Sequence, residues 1–161
     1  MGFNISGLVI DKNYQNDLKQ LEEILEENLI FEKEVDYEEG SENWKYDDYC
    51  DIYFSEKGTL IFLSMERGAF EFKIKNQKAF SFVLSEMSMT FAVNYTDNEK
   101  IIRSFVETED GERPQDIGDK LTFEKTEKDV SELILHLVEA TLGEHLWKID
   151  LEEKCQRYLF E

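Results

Sequence analysis

The chain is poor in residues that mark several large classes of protein. Its 161 residues include one proline, two cysteines and eight dispersed glycines. One proline excludes a proline-rich linker protein, and two cysteines are too few for a disulfide framework. No Gly-x-Gly-x-x-Gly or P-loop pattern occurs, which excludes nucleotide binding through those phosphate loops. We expect Cys50 and Cys155 to be reduced thiols of a cytoplasmic protein.

Positive charge is also scarce. Lysine and arginine number 18 against 37 aspartates and glutamates, which gives a formal net charge of −19. Proteins bind nucleic acids through cations that displace counterions from phosphates, so we expect no nucleic-acid partner. Anionic membrane surfaces are disfavoured for the same reason, and the apolar runs are far shorter than the ~20 residues of a membrane helix. The first residues lack the basic and apolar regions of a signal peptide, which again favours the cytoplasm.

The chain does contain enough apolar material for a folded core. Hydrophobic residues make up 41% of it and aromatic residues 13%. Twelve phenylalanines and seven tyrosines favour β-strands. We therefore predict a single α+β domain over residues 1–161. No feature of the sequence indicates a cofactor.

Two segments have the spacing of amphipathic helices. The second of these segments begins near Asp129 and ends at Gly143, because glycine is favoured just after the last residue of a helix. Each apolar stripe has to be buried against another element. In the first segment, apolar residues recur every three or four positions at Tyr14, Leu18, Leu21, Leu25 and Leu29.

The middle of the chain has the pattern of antiparallel strands. Apolar and polar residues alternate in segments such as 70–75 and 89–95, and short polar turns separate these segments. Parallel strands need longer crossovers, so antiparallel pairing is expected. The sequence thus predicts an α+β fold, with an antiparallel β-meander of about five or six strands covered on one face by the two amphipathic helices.

No catalytic or metal-binding motif emerges. His136 and His145 are nine residues apart, which is not the spacing of a helical metal-ligand pair. There is no Gly-x-Ser-x-Gly nucleophile elbow, and the acidic clusters lack the order of a calcium-binding loop. We assign no catalytic residue and no metal site, and we favour a function other than catalysis.

The most distinctive stretch is both acidic and aromatic. Residues 22–56 hold 14 carboxylates against two lysines, a balance of −12. Tryptophan and tyrosine are enriched at interface hot spots, and carboxylates around them steer a basic partner. The alternative is a solvated loop whose aromatic rings pack back into the core. We predict a partner-binding surface at Trp44, Tyr46, Asp47, Asp48, Tyr49 and Asp51.

A second candidate site involves Arg103. This residue shares strand parity with Phe105, on the expected inward side, and a buried arginine requires a carboxylate partner. Glu86 is the candidate, so Glu86 and Arg103 would line a pocket between the sheet and the helices. The alternative places Arg103 in water at a sheet edge.

These observations favour a non-enzymatic module that binds a basic protein. One concrete version is an immunity-type inhibitor of a cationic bacterial toxin, by analogy of size and charge, since the residues resemble no known family. The alternative is a small-ligand-binding domain or enzyme that uses the pocket at Glu86 and Arg103. A third interpretation is a module that forms homo-oligomers through an exposed sheet edge.

Overall fold

The computed structural model describes residues 3–127 and 129–161. Over these residues the chain forms a nine-stranded antiparallel sheet with short helices around it. The strands are β1 (Asn4–Ile10), β2 (Leu29–Asp36), β3 (Tyr49–Phe54), β4 (Thr59–Leu63), β5 (Lys78–Ser85), β6 (Thr90–Asp97), β7 (Lys100–Glu107), β8 (Gln115–Ile117) and β9 (Lys154–Phe160). The helices are α1 (Leu18–Leu25), α2 (Tyr37–Gly40), α3 (Met65–Gly68), α4 (Thr122–Thr126) and α5 (Val130–Leu142), and a 3₁₀ turn spans Leu146–Lys148.

The order of the strands corrects the predicted meander of five or six strands. Across the sheet the order is β2-β9-β3-β4-β1-β5-β6-β7-β8. Strands β5 to β8 do follow one another as a meander. However, β1 lies in the centre of the sheet between β4 and β5, and β9 lies between β2 and β3. Strands β1 and β9 pair with strands that are far from them in the sequence, and no short turn joins them. Periodicity along the sequence therefore does not reveal these pairings.

The helices lie on two faces of the sheet rather than on one. Helix α5 packs with Val9 and Phe82 in one core. Leu21 of α1 belongs to a second core, which contains Leu8. Leu8 and Val9 are consecutive in a strand and so point to opposite faces. The prediction that both helices cover one face is wrong because the central strand β1 is buried on both sides.

Helix α5 begins and ends where the sequence predicts. The Asp129 carboxylate accepts a hydrogen bond from the Ser131 amide at 2.9 Å, and Gly143 adopts a left-handed conformation with φ of 89°. Helix α1 is shorter than its apolar spacing indicates, because Tyr14 precedes it and Leu29 already begins β2. No helix in the described part of the chain combines the length and apolar character needed to cross a membrane.

The segment 69–75 is irregular, although its alternation predicts a strand. It lies across the α1 face of the sheet and takes its hydrogen bonds from side chains of β5 and β6. Ser81 Oγ donates to the Phe70 carbonyl at 2.6 Å, and Thr96 Oγ1 donates to the Phe72 carbonyl at 2.7 Å. These hydroxyl groups satisfy the backbone in place of a neighbouring strand.

Candidate functional site

Four of the six predicted partner-binding residues lie in the connection between α2 and β3, and Tyr49 and Asp51 lie in β3 itself. We call residues 42–48 the aromatic loop. Trp44 is 57% exposed and Tyr46 is 76% exposed, and the side chains of Asp47 and Asp48 also face solvent. The structure therefore brings four of the six predicted residues together on the surface, with no tucking of the two rings into the core.

Asp51 belongs to the interior and corrects the predicted surface. It is fully buried, and Arg157 holds it in a bidentate ion pair with distances of 2.7 and 2.9 Å. The ammonium group of Lys45 lies 2.6 Å from the second carboxylate oxygen. Because both oxygens are engaged by cations inside the protein, Asp51 is not available to a partner.

The position of Lys45 determines how the aromatic loop presents its rings. The Lys45 side chain is only 4% exposed, since it reaches inward to Asp51. Trp44 and Tyr46 flank it in sequence, and both project outward instead. The buried ion pair therefore anchors the middle of the loop and leaves two aromatic side chains in solvent.

Tyr49 supports this anchor and does not form part of the exposed surface. Its ring is half-buried, with the Arg157 guanidinium 4.6 Å from the ring centre. Burial raises the pKa of the Tyr49 phenol, while the charge of Arg157 opposes that rise. Tyr49 thus remains a neutral packing residue beside the ion pair.

The backbone of the aromatic loop is strained at Trp44. Its φ of 61° lies in the left-handed region, which a bulky residue rarely adopts and which costs about 1–3 kcal/mol. Two hydrogen bonds to the start of β1 hold this conformation: the Trp44 amide donates to the Asn4 carbonyl at 3.1 Å, and the Asn4 amide donates to Asn43 Oδ1 at 2.8 Å. Such strain is commonly found at functional sites.

Arg67 joins the aromatic loop to helix α1. Its Nε donates to the Asp47 carbonyl at 3.0 Å, and its Nη2 lies 3.1 Å from a carboxylate oxygen of Glu27. The guanidinium also covers the Phe160 ring at 4.2 Å. This side chain makes the loop continuous with the C-terminal end of α1.

That end of α1 is strongly acidic. Four glutamates occupy its last turn and the residues just after it, and no basic residue lies in the last turn. The C-terminus of a helix carries partial negative charge, so carboxylates there are unfavourable. These glutamates are Glu22, Glu23, Glu26 and Glu27.

The predicted pair of Glu86 and Arg103 does not form. Arg103 is fully buried, as its strand parity indicates, but its partners are Glu124 at 2.8 and 2.9 Å and Asp116. Glu86 instead accepts hydrogen bonds from the Phe3 amide and from Ser131. The two candidate pocket residues therefore have separate surroundings and do not build one site.

The nucleophilic and metal-ligating side chains are also dispersed. Cys50 and Cys155 are free and belong to the two different cores, and burial raises the pKa of Cys155 to about 12. His136 stacks on Phe123, with ring centres 3.9 Å apart, while His145 caps the 3₁₀ turn. Within the described ranges, no group of three or more histidine, cysteine, aspartate or glutamate side chains is arranged to hold a metal ion.

Sequence reasoning missed the cations that organise this surface. Lys45 had a signal, as a lone lysine between two aromatic residues in an acidic loop. Arg67 and Arg157 had none, because they reach the loop from distant parts of the chain. No protein-family model, curated protein or solved structure matches this chain.

Proposed function

We propose that this protein is a non-enzymatic module that binds a basic protein. Its binding surface would comprise the exposed residues of the aromatic loop and the acidic end of α1. The members of this binding surface are Glu42, Trp44, Tyr46, Asp47 and Asp48 of the loop with Glu23, Glu26 and Glu27 of the helix.

The observation that carries the proposal is the inward anchoring of Lys45 between two outward aromatic residues. Exposed tryptophan and tyrosine on a pre-organised backbone lose little conformational entropy on binding, which favours affinity. Trp44 also holds a strained backbone in solvent, but five other described non-glycine residues have a positive φ as well. The anchoring of Lys45 therefore supports a recognition role, and the strain only accompanies it.

Charge supports the choice of partner. A surface this acidic, on a chain of net charge −19, attracts cationic proteins and raises their association rate. One version of the proposal is an immunity-type inhibitor that covers the cationic substrate site of a toxin. An inhibitor of this type would work by occupying the site and would need no catalytic residue of its own.

Affinity capture with matched variants tests the proposal. The bait is the whole chain, incubated with extract of its source organism, and bound proteins are quantified by mass spectrometry. We expect the wild type to enrich one basic protein. The amount of this protein captured by Trp44→Ala/Tyr46→Ala should be roughly tenfold lower. The control variant Met87→Ala/Leu151→Ala removes two other exposed apolar side chains and should capture the basic protein as well as the wild type does. Equal capture by all three baits, or no enriched basic protein, would contradict the proposal.

A second variant tests the anchor itself. Lys45→Met keeps the length of the side chain but cannot pair with Asp51, which retains Arg157. Because the loop would lose its central attachment, we expect weaker binding of the captured protein by calorimetry although Lys45 is not exposed. Lys45→Arg, which restores a cation, should recover part of the affinity. An unchanged affinity for Lys45→Met would show that anchoring is irrelevant to binding.

A further inference from the structure

A groove lies between α1 and the irregular segment 69–75, and it shares Glu23, Glu26 and Glu27 with the binding surface. Its volume is about 530 Å³. Leu25 and Leu63 are buried at its floor, Phe72 is half-buried, and the ring of Phe70 stands 61% exposed at its mouth. The hydrogen bonds from Ser81 and Thr96, together with one of 3.1 Å from Asn94 Nδ2 to the Ala69 carbonyl, hold the outer wall in place. The groove is therefore formed before any partner arrives.

Carboxylates surround this apolar floor. Glu23 and Glu26 line the groove from α1, and Glu71 lines it from the opposite wall. Among the described residues, none forms an ion pair with these three carboxylates. Glu27 is paired with Arg67, and Lys73 also lines the groove, so the remaining charge along it comes from three carboxylates and one ammonium group and is predominantly negative.

Glu26 is unfavourably placed for the free protein in two respects. It ends α1 in the left-handed conformation, with φ of 56°, where glycine or asparagine is usual. Its carboxylate also lies at the negative end of the helix, without a basic residue in the last turn. Residues that break local rules without a compensating contact are commonly functional.

We propose that the groove receives a basic segment of the partner, with one apolar side chain on the floor and lysine or arginine side chains against Glu23, Glu26 and Glu71. Charge complementarity and the apolar floor select this occupant, because such a segment supplies both cations and an aliphatic group. The inference rests on the proposed function and identifies where the partner's cationic chain would lie.

The test uses the peptide acetyl-Lys-Leu-Lys-Leu-Lys-Leu-Lys-amide and the whole ¹⁵N-labelled protein. We expect amide chemical-shift changes concentrated around Leu25, Leu63 and Phe72. A peptide with serine in place of leucine has the same charge and should bind at least about tenfold more weakly, since it cannot fill the floor. Equal binding of both peptides, shifts located elsewhere, or no binding would overturn the proposal.

Protein variants separate the groove from general acidity. Glu23→Gln/Glu26→Gln should lower the affinity for the leucine-containing peptide about tenfold. Glu152→Gln/Glu153→Gln removes the same charge from an exposed turn away from the groove and should leave binding unchanged. Equal weakening by the two double variants would reduce the effect to net charge and overturn the proposal.

Glu26→Gly provides a control for folding. Glycine relieves the left-handed backbone and removes the carboxylate, so the melting temperature should rise by about 2–4 °C while peptide binding weakens. A fall in stability would contradict the assignment of Glu26. Met87→Ala/Leu151→Ala should leave peptide binding intact, because neither residue lines the groove. If Glu23→Gln/Glu26→Gln does not weaken peptide binding, the groove proposal is wrong. If Trp44→Ala/Tyr46→Ala still abolishes partner capture in that case, the proposed function stands without the groove.

Discussion

At the scale of single residues, the most informative feature is where the few cations lie. Arg103 is fully buried, and the side chains of Lys45 and Arg157 are 4% and 14% exposed. Each is paired with a buried carboxylate, as burial of a charge requires. Because two carboxylates, Asp51 and Glu124, are buried with these three cations, the charge of the outer surface stays close to that of the whole chain.

The Arg103 cluster leads to a prediction about acid stability. Burial alone would raise the pKa of Glu124, but the hydrogen bonds and charge of Arg103 outweigh it and hold the pKa below the usual glutamate value. A pKa depressed by folding adds stability above the unfolded pKa, about 4.3, and that stability is lost as the pH falls further. Glu124→Gln should therefore lower the free energy of unfolding by about 3 kcal/mol at neutral pH.

Urea denaturation measured from neutral pH down to about pH 3 checks this expectation. The difference between Glu124→Gln and the wild type should shrink as the pH falls, since the wild-type carboxyl is then protonated as well. Glu152→Gln, at an exposed turn, should match the wild type throughout. A constant difference at all pH values would show that packing, and not charge, accounts for the loss.

At the scale of elements, local patterns predicted what local contacts form. The bounds of β1 and α5 and the hairpins from β5 to β7 follow from periodicity, turns and caps. The segment 70–75 has a strand pattern but no neighbouring strand, because side chains of β5 and β6 take its hydrogen bonds. The predicted partner of Arg103 was wrong because the actual partner, Glu124, lies on α4, and this helix is too short to give a periodic signal in the sequence.

Strand β2 lies at one edge of the sheet and contains features that oppose pairing with another chain. Ile30 and Phe31 are 43% and 55% exposed, which on an edge strand invites pairing with another chain. A register shift between Phe31 and Lys33 places a bulge at Glu32, and charged residues continue to Glu34. Bulges and charges of this kind prevent edge-to-edge association.

Removing that protection should cause association. For Glu32→Thr/Glu34→Thr we expect higher oligomers by light scattering and faster aggregation than for the wild type, because threonine favours strands and carries no charge. Glu132→Thr/Glu139→Thr lowers the net charge equally on α5, which packs against β1, β5 and β6 and not against the β2 edge, and should stay monodisperse if the wild type does. Aggregation of both variants to the same degree would attribute the effect to net charge instead of the edge.

At the scale of the whole molecule, the same charge has opposite consequences for folding and for binding. A net charge of −19 on a single sheet with two covered faces repels itself, so it weakens the folded state. A cationic partner that neutralised part of the surface would recover part of this free energy. The stability of the free chain and the affinity for a basic protein should therefore respond to salt in opposite directions.

Thermal unfolding of the free protein tests half of this claim, and calorimetry with the captured basic protein tests the other half. Between about 0.01 M and about 0.3 M sodium chloride, the Debye length shortens from about 30 Å to less than about 8 Å, so the melting temperature should rise while the affinity falls. Neutralising exposed carboxylates away from the binding surface should reduce the salt dependence of melting while the affinity still falls with salt. Glutamine would replace Glu38, Glu109, Glu112, Glu132, Glu139 and Glu152 for this purpose. A melting temperature that falls with salt would mean that attractive pairs, such as Arg67 with Glu27, outweigh the repulsion.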